Sequence, residues 1–466
     1  MSVELMPRYA RQAKHAFLAL GWLVCSSVTQ AQSGCPIPLK KGMHDMVQAG
    51  QDADASLRAV DQRPPAEQLQ ALAQAALRRS AQIGAQRLLA EAAELDLQEV
   101  IARAGPQSSF SATVGPSVWS ESGGPRQQAM SLQTNVNVMG VLYDGGRQQQ
   151  LASWRQQLSK AARAGFFQAQ EQVVLEAVST ALERNRYRMQ GQVFQQHVRK
   201  MACLVSMLEE IVAEDRGRAS ELNQARKSLA QAELSRDSAL ALSRQLEVRL
   251  SRYVGEAAAS GDGIAGALTQ VLDSGEVLRK LDQGYDFQAL RAQVQASEHM
   301  AQVTAASREP QLNWILSSAG TWRGDDKTAT MQAGVSLNYN LFDGGASDAA
   351  SLAAARRAEA ARFQYEEFTN LRVARVGELH EAATASFDRA RRLVDVLRES
   401  DKVRQATLQQ WSQLGRRSLF DVMSTESDHF GLRVAYVNAL YDGYLANSQM
   451  RSLGGGLFQY LNAGSR

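Results

Sequence analysis

The sequence is poor both in residues that interrupt helices and in groupings that do chemistry. Nine prolines occur in 466 residues, at Pro7, Pro36, Pro38, Pro64, Pro65, Pro106, Pro116, Pro125 and Pro310, so residues 126–309 and 311–466 contain none. Proline-free stretches of that length permit very long helices. The three cysteines have neither metal-site nor disulfide-framework spacing. The six histidines, His15, His44, His197, His299, His380 and His429, are scattered, and no Ser-His-Asp or Cys-His grouping can be assembled. With 51 basic against 48 acidic residues and a net charge of +3, electrostatics gives no argument for nucleic acid. Long apolar runs are absent too: the longest, Ala16–Cys25, falls short of the ~20 residues that span a bilayer as a helix. Any membrane residence of the mature chain must therefore use strands.

That short run has a context. Arg8, Arg11 and Lys14 precede it against the single acid Glu4, and Ser26-Ser-Val-Thr-Gln-Ala31 follows it. Basic region, apolar run and small-residue stretch read as a secretory signal peptide over residues 1–31, cut after Ala31. Cleavage removes Cys25 and leaves Cys35 and Cys203. Gln32 stands where a lipoprotein box wants an aliphatic residue, so Cys35 is not read as lipidated, and Cys203 is read as a small buried hydrophobe.

The rest of the sequence is written twice. Ala104-Gly-Pro-Gln107 and Arg308-Glu-Pro-Gln311 each open a segment rich in Ser, Thr, Asn, Val, Leu and Trp. These segments close at Leu142-Tyr-Asp-Gly-Gly146 and Leu341-Phe-Asp-Gly-Gly345. A long helical pattern then runs to a break, at Gly217-Arg-Ala-Ser220 in the first half and Gly415-Arg-Arg-Ser418 in the second. The resulting division is a signal peptide (1–31), an N-terminal extension (32–63), a first repeat (64–253), a looser glycine-rich insert (254–285), a second repeat (286–452) and a C-terminal tail (453–466).

Two periods alternate along each repeat. Val335, Leu337, Tyr339 and Leu341 alternate with Ser336, Asn338 and Asn340, as Val136 and Val138 do with Asn135 and Asn137. Period 2 predicts strands with one apolar and one amide-rich face, around 108–119, 130–142, 311–322 and 332–342. The same pattern suits a soluble half-buried sheet or an outer-membrane barrel with a wet lumen. Four strands cannot close a barrel, so the second reading requires oligomerisation by rotational symmetry.

The helical parts carry heptad seams: Phe194, Val198, Met201, Val205, Leu208 and Val212, then Phe430, Val434, Val437, Tyr441 and Tyr444. Arg184-Asn-Arg186 and Arg389-Ala-Arg-Arg392 are assigned to the opposite, solvated faces. From Gly146 to Asp215 a continuous helix would extend on the order of 100 Å at 1.5 Å per residue. At the breaks, Gly217 or Gly415 is expected to end a helix in the left-handed conformation and Ser220 or Ser418 to N-cap the next. Ser418-Leu-Phe-Asp421 also matches a capping box.

These residues resemble the TolC family of outer-membrane efflux and secretion channels. The carriers are the doubled Leu-(Tyr/Phe)-Asp-Gly-Gly, the Gly-Arg-x-Ser tips followed by Glu221-Leu222 and Asp421-Val422, Leu88–Leu95 leading into Gly105-Pro-Gln107, and Tyr436–Leu440 leading into Leu453-Gly-Gly. The resemblance implies a membrane α+β fold: a homotrimeric twelve-stranded β-barrel, four strands per protomer, continued by a long α-helical coiled-coil tunnel through the periplasm. It implies as partners a periplasmic adaptor, an inner-membrane ABC or RND transporter and outer-membrane lipid, with no cofactor, no metal and no catalysis.

Carried over position by position, the resemblance makes Gly217, Arg218, Ala219, Ser220, Gly415, Arg416, Arg417 and Ser418 the adaptor-docking tips. It places Asp421, Asn223 and Ser424 at the entrance constriction, Arg417 and Trp411 among closed-state links, and Asp144, Gly145, Gly146, Asp343, Gly344 and Gly345 at strand-end turns. Asn223 and Ser424 depart from the family's acidic pattern, leaving Asp421 as one acidic ring or as a capping residue. The Asp-Gly-Gly form resembles members serving type I protein secretion more than drug-efflux members. Two other motifs lack their context: Gly261-Asp-Gly-Ile-Ala-Gly266 follows a helix end where a dinucleotide fingerprint needs a strand, and His380-Glu381 has Thr384 where a zinc motif needs a second His. A soluble periplasmic coiled-coil scaffold is the competing class.

Overall fold

A computed structural model describes residues 64–120, 126–255, 264–412 and 416–463. The signal segment, the N-terminal extension, Gly261, Gly263 and Gly415 lie outside the described residues. Two compact units are present, residues 196–232 forming the described part of one and the remainder the other.

Helices and strands alternate along the described residues. Helices α1 (Pro65–Arg79) and α2 (Ala81–Arg103) lead into strands β1 (Gln107–Trp119) and β2 (Gln127–Tyr143), then α3 (Arg147–Glu214) and α4 (Ala219–Val254). After α5 (Ser274–Lys280), helix α6 (Tyr285–Ala306) leads into β3 (Gln311–Arg323) and β4 (Asp326–Asn338), then α7 (Ala346–Ser412), α8 (Leu419–Leu453) and a last short helix α9 (Leu457–Ala463). Helix α7 alone has 67 residues, about 100 Å of rise. No described helix is long and apolar enough to cross a membrane.

All four strands form one antiparallel sheet in the order β1-β2-β3-β4. The expected strands fall within a few residues of their places, except that β4 starts earlier and stops at Asn338. Its partner explains the stop: Asn338 pairs with Gln311, and the next residue back is Pro310, which has no N–H to continue the ladder. Tyr339 and Leu341 therefore lie beyond the strand.

The doubled Asp-Gly-Gly turns out to be a helix-starting corner. Asp144 accepts hydrogen bonds from the N–H of Gly146 (3.1 Å) and of Gln148 (2.8 Å). Asp343 does the same for Gly345 (3.0 Å) and Ser347 (2.8 Å), and the Ser347 hydroxyl joins it. Each carboxylate thus satisfies amides that the first turn of α3 or α7 leaves free. Gly145, Gly146, Gly344 and Gly345 all have φ between 67° and 88°, a left-handed pair that residues with a Cβ rarely adopt. A Cβ on Gly145 would also lie 2.6 Å from that of Glu309.

Packing in the larger unit is concentrated in two clusters. One joins Leu69, Leu72 and Ala73 of α1, Val174, Val178 and Leu182 of α3, Leu250 of α4, and Phe430, Val437 and Tyr441 of α8. The second joins Phe287 of α6, Val376, Leu379 and Ala383 of α7, and Ala446 and Met450 of α8. Each fully buried Leu or Phe contributes about 1.5–3 kcal/mol. The insert is tighter than expected: Ile264 and Leu268, in a 3-10 turn, are fully buried in the first cluster and Val277 in the second.

The smaller unit is the hairpin of the first repeat. Its seam buries Val198, Met201, Val205 and Leu208, with Leu222 and Ala225 from α4, as the heptad pattern predicts. Cys203 is half-buried and disulfide-bonded rather than a buried apolar filler.

Candidate functional site

Three regions carry the sequence-predicted residues: the sheet, the tip of the second hairpin and, in its own unit, the tip of the first. The sheet register sorts every strand residue onto a face. Phe110 pairs with Val136, Val114 with Leu132 and Pro116 with Met130. Val138 pairs with Leu316 and Leu132 with Trp322; Trp314 pairs with Val335 and Ser318 with Met331. One face is therefore apolar across all four strands. The other carries Ser109, Ser111 and Thr113 on β1, Gln133, Asn135 and Asn137 on β2, Ser317 and Thr321 on β3, and Thr330, Gln332 and Ser336 on β4.

Among the described residues nothing covers the apolar face. Phe110 is 69% exposed, Val114 70%, Met331 77% and Leu337 67%. A contiguous apolar surface of this kind marks an interaction with another apolar phase. Trp314 and Trp322 stand on it eight residues apart on one strand, about 26 Å at 3.3 Å per residue. The Trp314 indole lies over Gly140, where any Cβ would collide with its Nε1.

At the second tip, Ser418 and Asp421 form the expected capping box. Ser418 Oγ accepts from the Asp421 N–H at 3.2 Å, and Asp421 Oδ2 accepts from the Ser418 N–H at 3.0 Å. These hydrogen bonds from Ser418, with help from Arg417, hold the Asp421 carboxyl below the usual range. Arg417 donates from Nε to Gln410 at 3.2 Å, and the Arg416 N–H closes the turn onto the Gln410 carbonyl. Trp411 is buried, Ser424 exposed.

The first tip is built differently from the expectation. Gly217 is not among the left-handed glycines, and Ser220 lies inside α4 rather than capping it. Asp215 does the capping: its Oδ1 accepts from the Gly217 N–H at 2.9 Å and starts a 3-10 turn, Arg216–Arg218, that runs directly into α4. Arg218 sits on this turn, Ala219 opens α4, and Asn223 is exposed on its first turns.

Sequence reasoning missed the polar groups inside the helical packing. Between α7 and α8, Arg404 faces the fully buried Glu426 (3.4 Å) and also holds Asp401 (2.6 Å). His429 shares a hydrogen bond with Ser400 (3.2 Å), and burial, then Arg404 and Arg433, push it down to about 4. The Arg184–Arg186 segment is not on a solvated face. Arg184 and Asn185 are buried, while Arg186 bonds Asn438 (2.8 Å) and Asp442 (3.0 Å) of α8. Glu171 of α3 accepts from the N–H groups of Leu457 and Phe458 and so caps α9 after the three glycines 454–456; burial pushes its carboxyl up. Among the described residues no group of side chains could hold a metal ion.

No family model matches the sequence, and no curated protein matches it. Solved structures do. The outer membrane protein VceC of Vibrio cholerae matches with a TM-score of 0.75 at 16% identity, over 84% of this chain and 97% of that one. The outer-membrane channel OprN gives 0.73 at 19%, over 84% and 90%. The Campylobacter jejuni CmeC outer membrane channel gives 0.70 at 14%, over 86% and 89%. At such identities the likeness is one of fold, and the chain has the TolC-like fold of outer-membrane channels that its doubled landmarks imply.

Proposed function

We propose that this protein is the outer-membrane exit duct of a tripartite export system, carrying cargo without chemistry from an inner-membrane pump through a periplasmic adaptor to the exterior. The observation that carries the reading is the bare two-faced sheet. Its apolar face needs lipid, its polar face needs water, and β1 and β4 end it with open edges. In a bilayer those edges must pair, and four strands are too few to close on themselves. A homotrimer of twelve strands meets both demands. Trp314 and Trp322 fit the two aromatic girdles of such a barrel, since ~26 Å of strand tilted by ~40° covers about 20 Å of an apolar band roughly 25 Å tall.

The long helices then form the periplasmic tunnel. The tips, Arg218 to Ser220 and Arg416 to Ser418, dock the adaptor, with Asp421 and Ser424 near the entrance. A preference for type I secretion rests on Asp-Gly-Gly alone. Because that motif starts helices in both repeats, it carries no information about cargo.

The test is native mass spectrometry and planar-bilayer recording on one detergent-extracted preparation. A trimer with discrete conductance steps is expected. A water-soluble monomer or dimer without conductance would overturn the reading in favour of a periplasmic scaffold.

A further inference from the structure

Charge is nearly absent from the sheet, and what there is sits in one place. Of all strand residues only Arg323, Asp326 and Lys327 are charged, and all three flank the Gly324-Asp325 turn between β3 and β4. The register divides them by face. Arg323 pairs with Ser131 and with Asp326 on the polar side, whereas Lys327 pairs with Trp322 on the apolar side.

Arg323 is held in place without being neutralised. Its guanidinium carbon lies 5.5 Å from the ring centroid of Trp119, which shares the polar face on β1. Stacking of this kind favours a cation over an aromatic plane. The Arg323 Nε is buried with no hydrogen-bond partner, and no ion pair joins the side chain to Asp326. From this rim to the helical end, the polar face is neutral: hydroxyls, amides and small side chains, with Met139 and Ile315 near the helical end.

We propose that Arg323, positioned by Trp119, sets the ion preference of the outer mouth, a fixed positive charge that draws anionic groups of passing solutes. The inference rests on the channel reading, in which the polar face lines the lumen and copies of Arg323 ring the exit. Asp326, its direct cross-strand partner, opposes it from the same face.

The test is the zero-current potential across a potassium chloride gradient in planar bilayers. It is read at about 10 mM salt, where the Debye length is ~30 Å, and again at 1 M, where it is ~3 Å. Arg323→Gln is expected to shift the potential toward cation preference at low salt and to match the parent at high salt, while Arg323→Lys keeps the parent value. Asp326→Asn should shift it toward anions, which tests the same ring without touching Arg323. Lys327→Gln removes an equal charge on the other face, farther from the lumen, and should shift the potential less than Arg323→Gln does.

Gln133→Glu, at mid-sheet on the polar face, serves as the control for the lumen itself. If Gln133→Glu moves the potential and neither Arg323→Gln nor Asp326→Asn does, the inference falls and the channel stands. If Gln133→Glu is inert, or Lys327→Gln matches Arg323→Gln, the assignment of faces falls, and the channel reading with it.

Discussion

Gly443 and Gly431 lie on the same helix, α8, in opposite surroundings, so one substitution made at both separates packing from backbone propensity. In a helix interior Ala is better than Gly by about 0.8–1.0 kcal/mol. At Gly431 a Cβ meets nothing within 4 Å, so Gly431→Ala should gain that amount. At Gly443 it would lie 2.8, 2.9 and 3.1 Å from Cζ, Cε1 and Cδ1 of Phe387 on α7. The Phe387 ring is nearly buried and packs edge-on against Tyr444 at 5.6 Å, so it has little room to retreat. Overpacking of this size costs about 1–3 kcal/mol, and subtracting the propensity gain leaves Gly443→Ala destabilising by roughly 1 kcal/mol. Thermal unfolding of the detergent-extracted protein, followed by circular dichroism at 222 nm, should therefore order the midpoints Gly431→Ala, parent, Gly443→Ala. Adding Phe387→Leu, which removes the far ring carbons, should recover part of the Gly443→Ala loss. If Gly443→Ala is as stable as Gly431→Ala, the close α7–α8 approach at Phe387 is wrong.

Other expectations follow from the buried polar groups and the caps. Arg404→Met removes one cation from Glu426, which is fully buried, and should cost about 3–5 kcal/mol by the rule for breaking one side of a buried pair; Arg404→Met with Glu426→Leu should recover most of it in the same melt. Ser418→Ala should weaken the start of α8 by about 1 kcal/mol, seen as faster hydrogen exchange in the 419–422 amides with the sheet unaffected. His429 titrates at about 4 in the fold and near 6.5 when unfolded. The unfolded chain therefore gains the proton first, and stability falls as pH drops from about 6.5 to 4 before levelling off. His429→Gln should flatten that part of a melting-temperature profile. On the sheet, Val136→Asp should deplete the protein from outer membranes while Asn135→Asp leaves it there, as membrane fractionation would show.

The architecture was legible because it depends on patterns repeated over many residues. Period 2 and period 3.6 mark strands and helices wherever one face is buried or bathed in lipid, and the doubled landmarks fixed their order. Single positions fared worse. Gly217 was expected to end a helix through its backbone freedom, but Asp215, two residues earlier, supplies a carboxylate that makes a left-handed residue unnecessary. The Arg184–Arg186 segment looked solvated because its partners, Asn438 and Asp442, lie some 250 residues away. Glu426, His429 and Arg404 were invisible for the same reason: charges spaced along two helices look like solvent-facing positions until the helices are set side by side. Glu171 capping Leu457 is a contact between distant segments that no local pattern announces.

The pairing of β2 with β3 has a consequence for how the chain reaches this state. The β1–β2 and β3–β4 ladders are local, while the ladder between them joins Ser131 to Arg323 across two long helices and the insert. Pairing so remote in sequence is slow because the loop must close before contacts repay it. The sheet is therefore finished only after the first half's helical excursion has folded back, and until then two hairpins carry unpaired edges and bare apolar faces. Such species are prone to stick to one another. Closing the β2–β3 ladder thus waits on the helices between the two strands, and the interval before the halves meet is when the chain most needs protection from its own copies.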